Sequence, residues 1–183
     1  MQKLPLKILK SETRYTGKVF DLIVDEIEYP SGNRGIREVA RHPGGAVVVP
    51  MLDDSTLLLI RQFRYPTREM LYEVPAGKLN EGEDPLQCAK RELEEETGFT
   101  ATSFRKLTAI YTTPGFCNEQ LHLYLATGLT ETDHGQQLEE GEQNLTLERV
   151  PFARAITMIE SGAIVDSKTI CGILLAERVL RKS

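Results

Sequence analysis

A chain of 183 residues with 40% hydrophobic content is long enough to bury a core but cramped for two full domains, so one compact domain with a small N-terminal appendage is expected. A net charge of −5, with Lys and Arg only in scattered pairs, offers no electrostatic footprint for nucleic acid as a partner. The start, MQKLPLKILKSE, has no apolar leader core or small-residue cleavage site, and no run of about 18 apolar residues occurs, so a soluble, cytoplasmic protein with no membrane partner is expected.

In chain order, residues 18–28 (KVFDLIVDEIE) alternate apolar and charged side chains, Pro30-Ser31-Gly32-Asn33 turns the chain, and residues 35–41 return extended, which predicts a hairpin. Residues 45–52 (GAVVVPML) and 56–62 (TLLLIRQ), joined by Asp53-Asp54-Ser55, predict a second hairpin of mostly buried strands. The period then changes. Leu86, Ala89, Leu93 and Thr97 recur at helical spacing, Pro85 occupies a first-turn position and Gly98 ends the run, so a helix is predicted over residues 85–97. Residues 107–112, 120–126 and 144–150 read as further strands. Residues 152–160 and 167–180 read as helices, the second capped by Asp166. Strands, an inserted helix, more strands and a terminal helix suggest a mixed sheet covered by helices on its faces, in the α/β class.

Cys88, Cys117 and Cys171 are odd in number and far apart, and no His accompanies them at metal-ligand spacing. They read as small core or loop thiols. His42, His122 and His134 are isolated and read as structural.

The stretch that carries chemistry is GKLNEGEDPLQCAKRELEEETGF, residues 77–99. On a helix, Glu92 and Glu96 are four apart and Glu95 is three from Glu92, so three carboxylates project from one side and repel one another. A hard divalent cation is one resolution of that repulsion, and ligation by oxygen alone points to Mg²⁺ or Mn²⁺. Arg91 stands at i,i+4 to Glu95 and can reach back to Glu83 at the helix start, where it would orient the acidic side. Taken alone, a run such as RELEEE is usually a solvated helix face.

The whole stretch, however, resembles the Nudix box: a Gly, five residues, a Glu, seven residues, then Arg-Glu-aliphatic-any-Glu-Glu-any-Gly and an aliphatic or aromatic residue. Every position is met, by Gly77, Glu83, Arg91, Glu92, Leu93, Glu95, Glu96, Gly98 and Phe99. Seven fixed residue types coincide by chance on the order of 10⁻⁸ per starting position. The resemblance implies a Nudix-type α/β/α sandwich with a mixed sheet over residues 41–183 and, ahead of it, an N-terminal β-hairpin extension over residues 1–40. It implies metal ligands at Glu92 and Glu96, with Glu95 in support, and at the backbone carbonyl of Ala76. The cofactor so implied is Mg²⁺, with Mn²⁺ able to substitute.

Three features beyond the box resemble the branch of this family that cleaves ADP-ribose and other nucleoside diphosphate sugars. They are the approach LYEVPAG at residues 71–77, the Pro114 that follows Phe99 by 15 residues, and the hairpin over residues 18–41, which in this branch forms a homodimer and lines the partner's nucleoside pocket. The general base of the branch stands on an acidic loop, here QLEEGE at residues 137–142. The alignment puts Glu140 in that role and Glu142 as a further metal ligand, with Glu139 or Glu142 as the other choices for the base. Arg64 is a candidate to hold a phosphate, since a guanidinium binds two phosphate oxygens at once. Arg37 and Glu38 fall where related enzymes contact the base and its ribose, and Gly115, Phe116 and Glu119 are placed to border the distal sugar. The expected reaction is hydrolysis of ADP-ribose to AMP and ribose 5-phosphate. The alternatives are a broader hydrolase of GDP-mannose or ADP-glucose type and a non-catalytic module that binds ADP-ribose. The intact Glu92, Glu95 and Glu96 speak against the last, because a pure binder has no need of such an anionic cluster.

Overall fold

The computed structural model describes residues 5–138 and 140–181, and the chain divides into two compact units. The first comprises Met1–Gly44 with Tyr111–Gln120. Its sheet is antiparallel in the order β1 (Lys7–Thr16), β2 (Asp21–Glu28), β3 (Arg34–Arg41). The β2–β3 pair is the hairpin expected from the sequence, closed by hydrogen bonds from Tyr29 N to Asn33 O and from Gly32 N to Tyr29 O, both 2.9 Å. Strand β1 was not expected. Charged and polar residues fall on both of its sides and most are exposed, so no two-residue apolar period marks it. Residues 18–20, assigned from the sequence to the first hairpin strand, lie instead in the turn between β1 and β2. The loop of residues 111–120 folds on itself through Cys117 N to Thr113 O at 2.9 Å, and it meets the end of β3 through Ala40 N to Phe116 O at 2.8 Å.

The second unit comprises Gly45–Ile110 and Leu121–Ser183. One sheet has the order β7 (Ala76–Lys78), β4 (Gly45–Pro50), β9 (Gln120–Glu131), β8 (Phe99–Tyr111); β4 runs parallel to β9 and antiparallel to β7. The other is antiparallel, in the order β10 (Thr146–Pro151), β5 (Thr56–Arg64), β6 (Glu69–Glu73). Among the described residues three α-helices complete it: α1 (Pro85–Thr97), α2 (Phe152–Glu160) and α3 (Ser167–Leu180).

Every residue of β4 is buried, because both faces of the strand are covered. Val47 and Val49 join Leu57, Leu59, Leu123, Leu125, Val150 and Ile173 in one cluster, against which α2 and α3 pack. Ala46 and Val48, pointing the other way, join Tyr124 and Ala126 with Cys88, Ala89 and Leu93 of α1. The central sheet is thus layered between α1 on one face and the second sheet with α2 and α3 on the other, which is the α/β/α sandwich expected. Each large apolar side chain so buried contributes roughly 1.5–3 kcal/mol relative to exposure. The run assigned to residues 107–112 is the end of a much longer strand, β8, which starts directly after Gly98. Its first half, TATSFRK, lacks the alternation that would have announced it. The short strands β6 and β7 were also not expected. No helix among the described residues is long and apolar enough to cross a membrane.

Candidate active site

Local sequence fixes α1 at both ends. The Asp84 side chain accepts from Leu86 N at 2.9 Å and from Gln87 N at 3.3 Å, and Pro85 fills the first turn, where no amide donor is needed. Gly98 closes the helix in the left-handed conformation, φ 73°, and donates to Glu94 O at 2.8 Å. With Cys88, Ala89 and Leu93 held against the sheet, the acidic side of the helix faces the chain that runs from β6 into β7.

Glu92 and Glu96 are only 7% and 2% exposed. Ala76 N donates to Glu96 Oε2 at 2.9 Å, which ties the helix to the start of β7. A Cβ placed on Gly77 would stand 1.8 Å from Glu92 Oε1, so at this position only glycine lets the strand pass the carboxylate. Arg91 serves three acids at once. Its Nε donates to Glu83 Oε1 at 3.0 Å, and its Nη1 donates to Glu92 Oε1 at 2.6 Å and Glu95 Oε2 at 2.9 Å. Both contacts expected of Arg91, to Glu83 and to Glu95, are therefore present.

Charge is poorly balanced here. Burial pushes the Glu92 carboxyl up to about 7, Arg91 opposes the shift, and the charges of Glu95 and Glu142 add to it. Burial likewise raises Glu96 well above its usual range, reinforced by Glu92 and Glu142 and opposed by Ala76 N and Arg64. Glu142 thus lies within electrostatic reach of both. It stands with Glu140 on a 3-10 turn, Glu140–Glu142, in which Glu140 is exposed and Glu142 half-buried. Glu139 lies outside the described residues.

The donors gathered here, carboxylates and backbone carbonyls, are hard oxygens with surplus negative charge, which suits a hard divalent cation. Among the described residues no three His, Cys, Asp or Glu side chains converge closely enough to enclose an ion by themselves. Glu92 is turned to Arg91 and Glu96 to Ala76 N. A bound cation would therefore draw further ligands from backbone, water and substrate phosphates, as Mg²⁺ commonly does.

Arg64 closes β5, and its Nε and Nη2 grip Glu73 at 2.7 and 2.6 Å; Nη1 takes no part in that pair. Glu73 is 1% exposed and also pairs with Lys168, which sits 3.0 Å from Asp166. Burial would raise the Glu73 carboxyl, but Arg64 and Lys168 together hold it below 4.5. Asp166 in turn accepts from Thr169 N at 2.9 Å and so caps α3, as expected. This buried ionic group was missed at the level of sequence. A lone acid between Tyr72 and Val74 is the one hint of it, and nothing local points to Lys168, 95 residues away.

The remaining candidates belong to the first unit. Arg37 on β3 is exposed, donates to Tyr29 Oη and lies over that ring at 5.6 Å, and Glu38 pairs in register with Val24. Gly115 and Phe116, with Val39, Tyr111, Pro114, Cys117 and Asn118, line an open cleft of about 240 Å³. Glu119 accepts from Thr112 Oγ1 at 2.8 Å and lies 3.3 Å from His42 Nδ1. Ala76, Glu92, Glu96, Glu142 and Arg64 are thus brought together in one unit, and Arg37, Glu38, Gly115, Phe116 and Glu119 in the other.

Known proteins are similar to this chain over most of its length. The sequence is 40% identical over 169 residues to an ADP-ribose pyrophosphatase of Bacillus subtilis (strain 168), covering 92% of this chain and 91% of that one. It is 38% identical over 167 residues to a methanol dehydrogenase activator of Bacillus methanolicus, covering 91% and 90%. The crystal structure of an ADP compounds hydrolase shares the fold, with a TM-score of 0.84 over 100% of this chain and 97% of that one at 23% identity. Residues 41–170 match the NUDIX domain, a span that takes in the whole acidic helix, its glycine-bound approach and the acidic turn, and the chain therefore belongs to the NUDIX domain family.

Proposed function

We propose that this chain is a Mg²⁺-dependent hydrolase of nucleoside diphosphate sugars, with ADP-ribose as preferred substrate and AMP and ribose 5-phosphate as products. The observation that carries the reading is the pair of buried carboxylates, Glu92 and Glu96, whose surplus charge faces the Ala76–Gly77 corner and is sensed by Glu142. The similarity to an ADP-ribose pyrophosphatase over nine-tenths of both chains supports the choice of substrate.

Glu92, Glu96, Glu142 and the Ala76 carbonyl would hold the metal. The ion, when bound, neutralises the diphosphate and lowers the pKa of a bound water. Arg91 keeps Glu92 and Glu95 in place from behind. Arg64, braced by Glu73, presents positive charge to a phosphate. Glu140 accepts the proton of the attacking water as its oxygen bonds to one phosphorus and the bridging P–O bond breaks, the bridging oxygen leaving on the other phosphate. Arg37 and Glu38 contact the nucleoside, and Gly115, Phe116 and Glu119 border the distal sugar. Residues 1–40 act as the dimerisation extension and residues 41–183 as the catalytic domain. The first unit exposes Ile8, Tyr15, Val19, Phe20 and Ile36, apolar area that a second copy would cover in a homodimer. Three free cysteines and an acidic surface agree with the cytoplasm as its place of work.

The test is a panel of ADP-ribose, ADP-glucose, GDP-mannose and nucleoside triphosphates assayed with Mg²⁺, the products separated chromatographically. The reading expects the highest kcat/KM on ADP-ribose, with AMP and ribose 5-phosphate released. A preference for GDP-mannose would move the chain to the broader hydrolases. Binding of ADP-ribose with no turnover would leave only a binding module.

A further inference from the structure

A helix leaves its last carbonyls without intrahelical partners, and at an exposed end water serves them. At the end of α1 a segment of the chain does so instead. Gln137 N donates to Glu95 O at 2.8 Å, the Gln136 side chain donates through Nε2 to Glu96 O at 2.6 Å, and Thr132 donates to Gly98 O from both N and Oγ1 at 2.8 and 2.9 Å. The carbonyls so engaged belong to Glu95, to the buried Glu96 and to Gly98, the glycine that closes the helix. The approach is close. A Cβ on Gly98 would lie 2.8 Å from the Gly135 carbonyl carbon and 3.0 Å from Gln136 N. That glycine is therefore needed for the passage of the second segment as well as for its own positive φ.

The chain between this anchor and the acidic turn is short. Gln137 and Glu140 are only three positions apart in the chain, a span of at most about 11 Å when extended. The far side of the turn is also tied, with Leu145 N donating to Glu142 O at 2.7 Å, Leu145 itself buried, and Gln143 Nε2 donating to Leu138 O at 3.3 Å. The acidic turn thus has little room to move so long as residues 132–137 stay on the end of α1. Without the anchor the turn would be held from its far side alone, and proton transfer tolerates a displacement of only a fraction of an ångström.

We propose that Gln136 and Thr132 are positioning residues, which fasten residues 132–137 to the carbonyls that end α1 and thereby fix the turn Glu140–Glu142 relative to Glu92 and Glu96. The proposal rests on the hydrolytic reading above and adds the device that joins its two halves, metal helix and base loop. Both residues bond to the end of α1, and neither is in the box.

The test compares wild type with Gln136→Met, Thr132→Val and Thr132→Ser, alone and, for Met with Val, combined. ADP-ribose hydrolysis and amide hydrogen exchange are measured on the same preparations with Mg²⁺ present. The combined variant is expected to lose about tenfold or more in kcat, as for one or two lost hydrogen bonds felt at the transition state, with KM within about twofold. Exchange should quicken over residues 137–142 and stay unchanged over residues 85–93. Thr132→Ser keeps the hydroxyl and should match wild type in both. If the combined variant fails to fold, Gln136→Met alone carries the comparison. A kcat within about twofold of wild type, or a fall in kcat with unchanged exchange in the turn, overturns the proposal. A wild-type protein inert toward every nucleotide sugar sinks the functional reading instead, and the exchange data then decide the anchor by themselves.

Discussion

In a chelator, the metal-free protein should become less stable as the pH rises from about 5 to 8, and Glu92→Gln should remove the share of that loss that Glu92 carries, Glu96, also raised by burial, carrying a further share. Burial lifts the Glu92 carboxyl from its usual 4.5 to about 7, with Arg91 opposing and Glu95 and Glu142 contributing. A carboxyl whose folded pKa is raised is stabilising while protonated. Its contribution is complete below about 4.5 and is lost as the pH climbs through about 7. At about 1.4 kcal/mol for each tenfold change, that shift amounts to roughly 3 kcal/mol, and the side chain is too little exposed for solvent to screen much of it. The side-chain amide that replaces the carboxyl in the variant is never charged, yet its oxygen can still accept from Arg91. At pH 5 variant and wild type should therefore melt alike. At pH 8 the variant should melt higher, by up to roughly 6–12 °C at about 2–4 °C per kcal/mol for a chain of this size. Carboxyls held low, such as Glu73 and Glu83, lose their contribution only below this window, so they do not obscure the difference. Thermal unfolding at the two pH values, with excess chelator, measures it. A variant no more stable than wild type at pH 8 would refute the reasoning that burial holds unrelieved charge at this site.

Glu96→Gln should keep the bond from Ala76 N and the fold, yet lose hydrolysis by about 10²-fold or more, read as kcat at saturating Mg²⁺ with circular dichroism as control. Glu140→Gln should lose about 10²-fold in kcat with metal and substrate affinity retained, as for removal of a general base; if Glu139→Gln or Glu142→Gln alone does so, the base is reassigned. Gly98→Ala should cost more than about 1 kcal/mol, seen as a fall in denaturation midpoint, since a side chain at φ 73° is strained and its Cβ meets Gly135 and Gln136.

The parts of the fold that periodicity betrays were legible in the sequence. α1, α2 and α3 match the expected residues, and β4 and β5 stand where continuous apolar runs place them, because these segments bury side chains at fixed intervals. β1 escaped for the opposite reason, most of its side chains being exposed on both faces, and the first half of β8 because Phe99, Ala101 and Phe104, the residues it packs inward, do not keep a two-residue period. At the site, the acidic side of α1 and the reach of Arg91 followed from spacing along one helix. Glu73 with Lys168, and Glu96 with Gln136, are joined across many residues, and no local period encodes such a meeting.

The most direct measurement of the central claim is Mn²⁺ binding, followed by electron paramagnetic resonance, with a methylene-bridged, non-hydrolysable ADP-ribose analogue present. The acidic helix predicts tight binding to wild type that collapses in Glu92→Gln and Glu96→Gln while the fold persists. Absence of binding in the wild type, or equal binding in all three proteins, would contradict it.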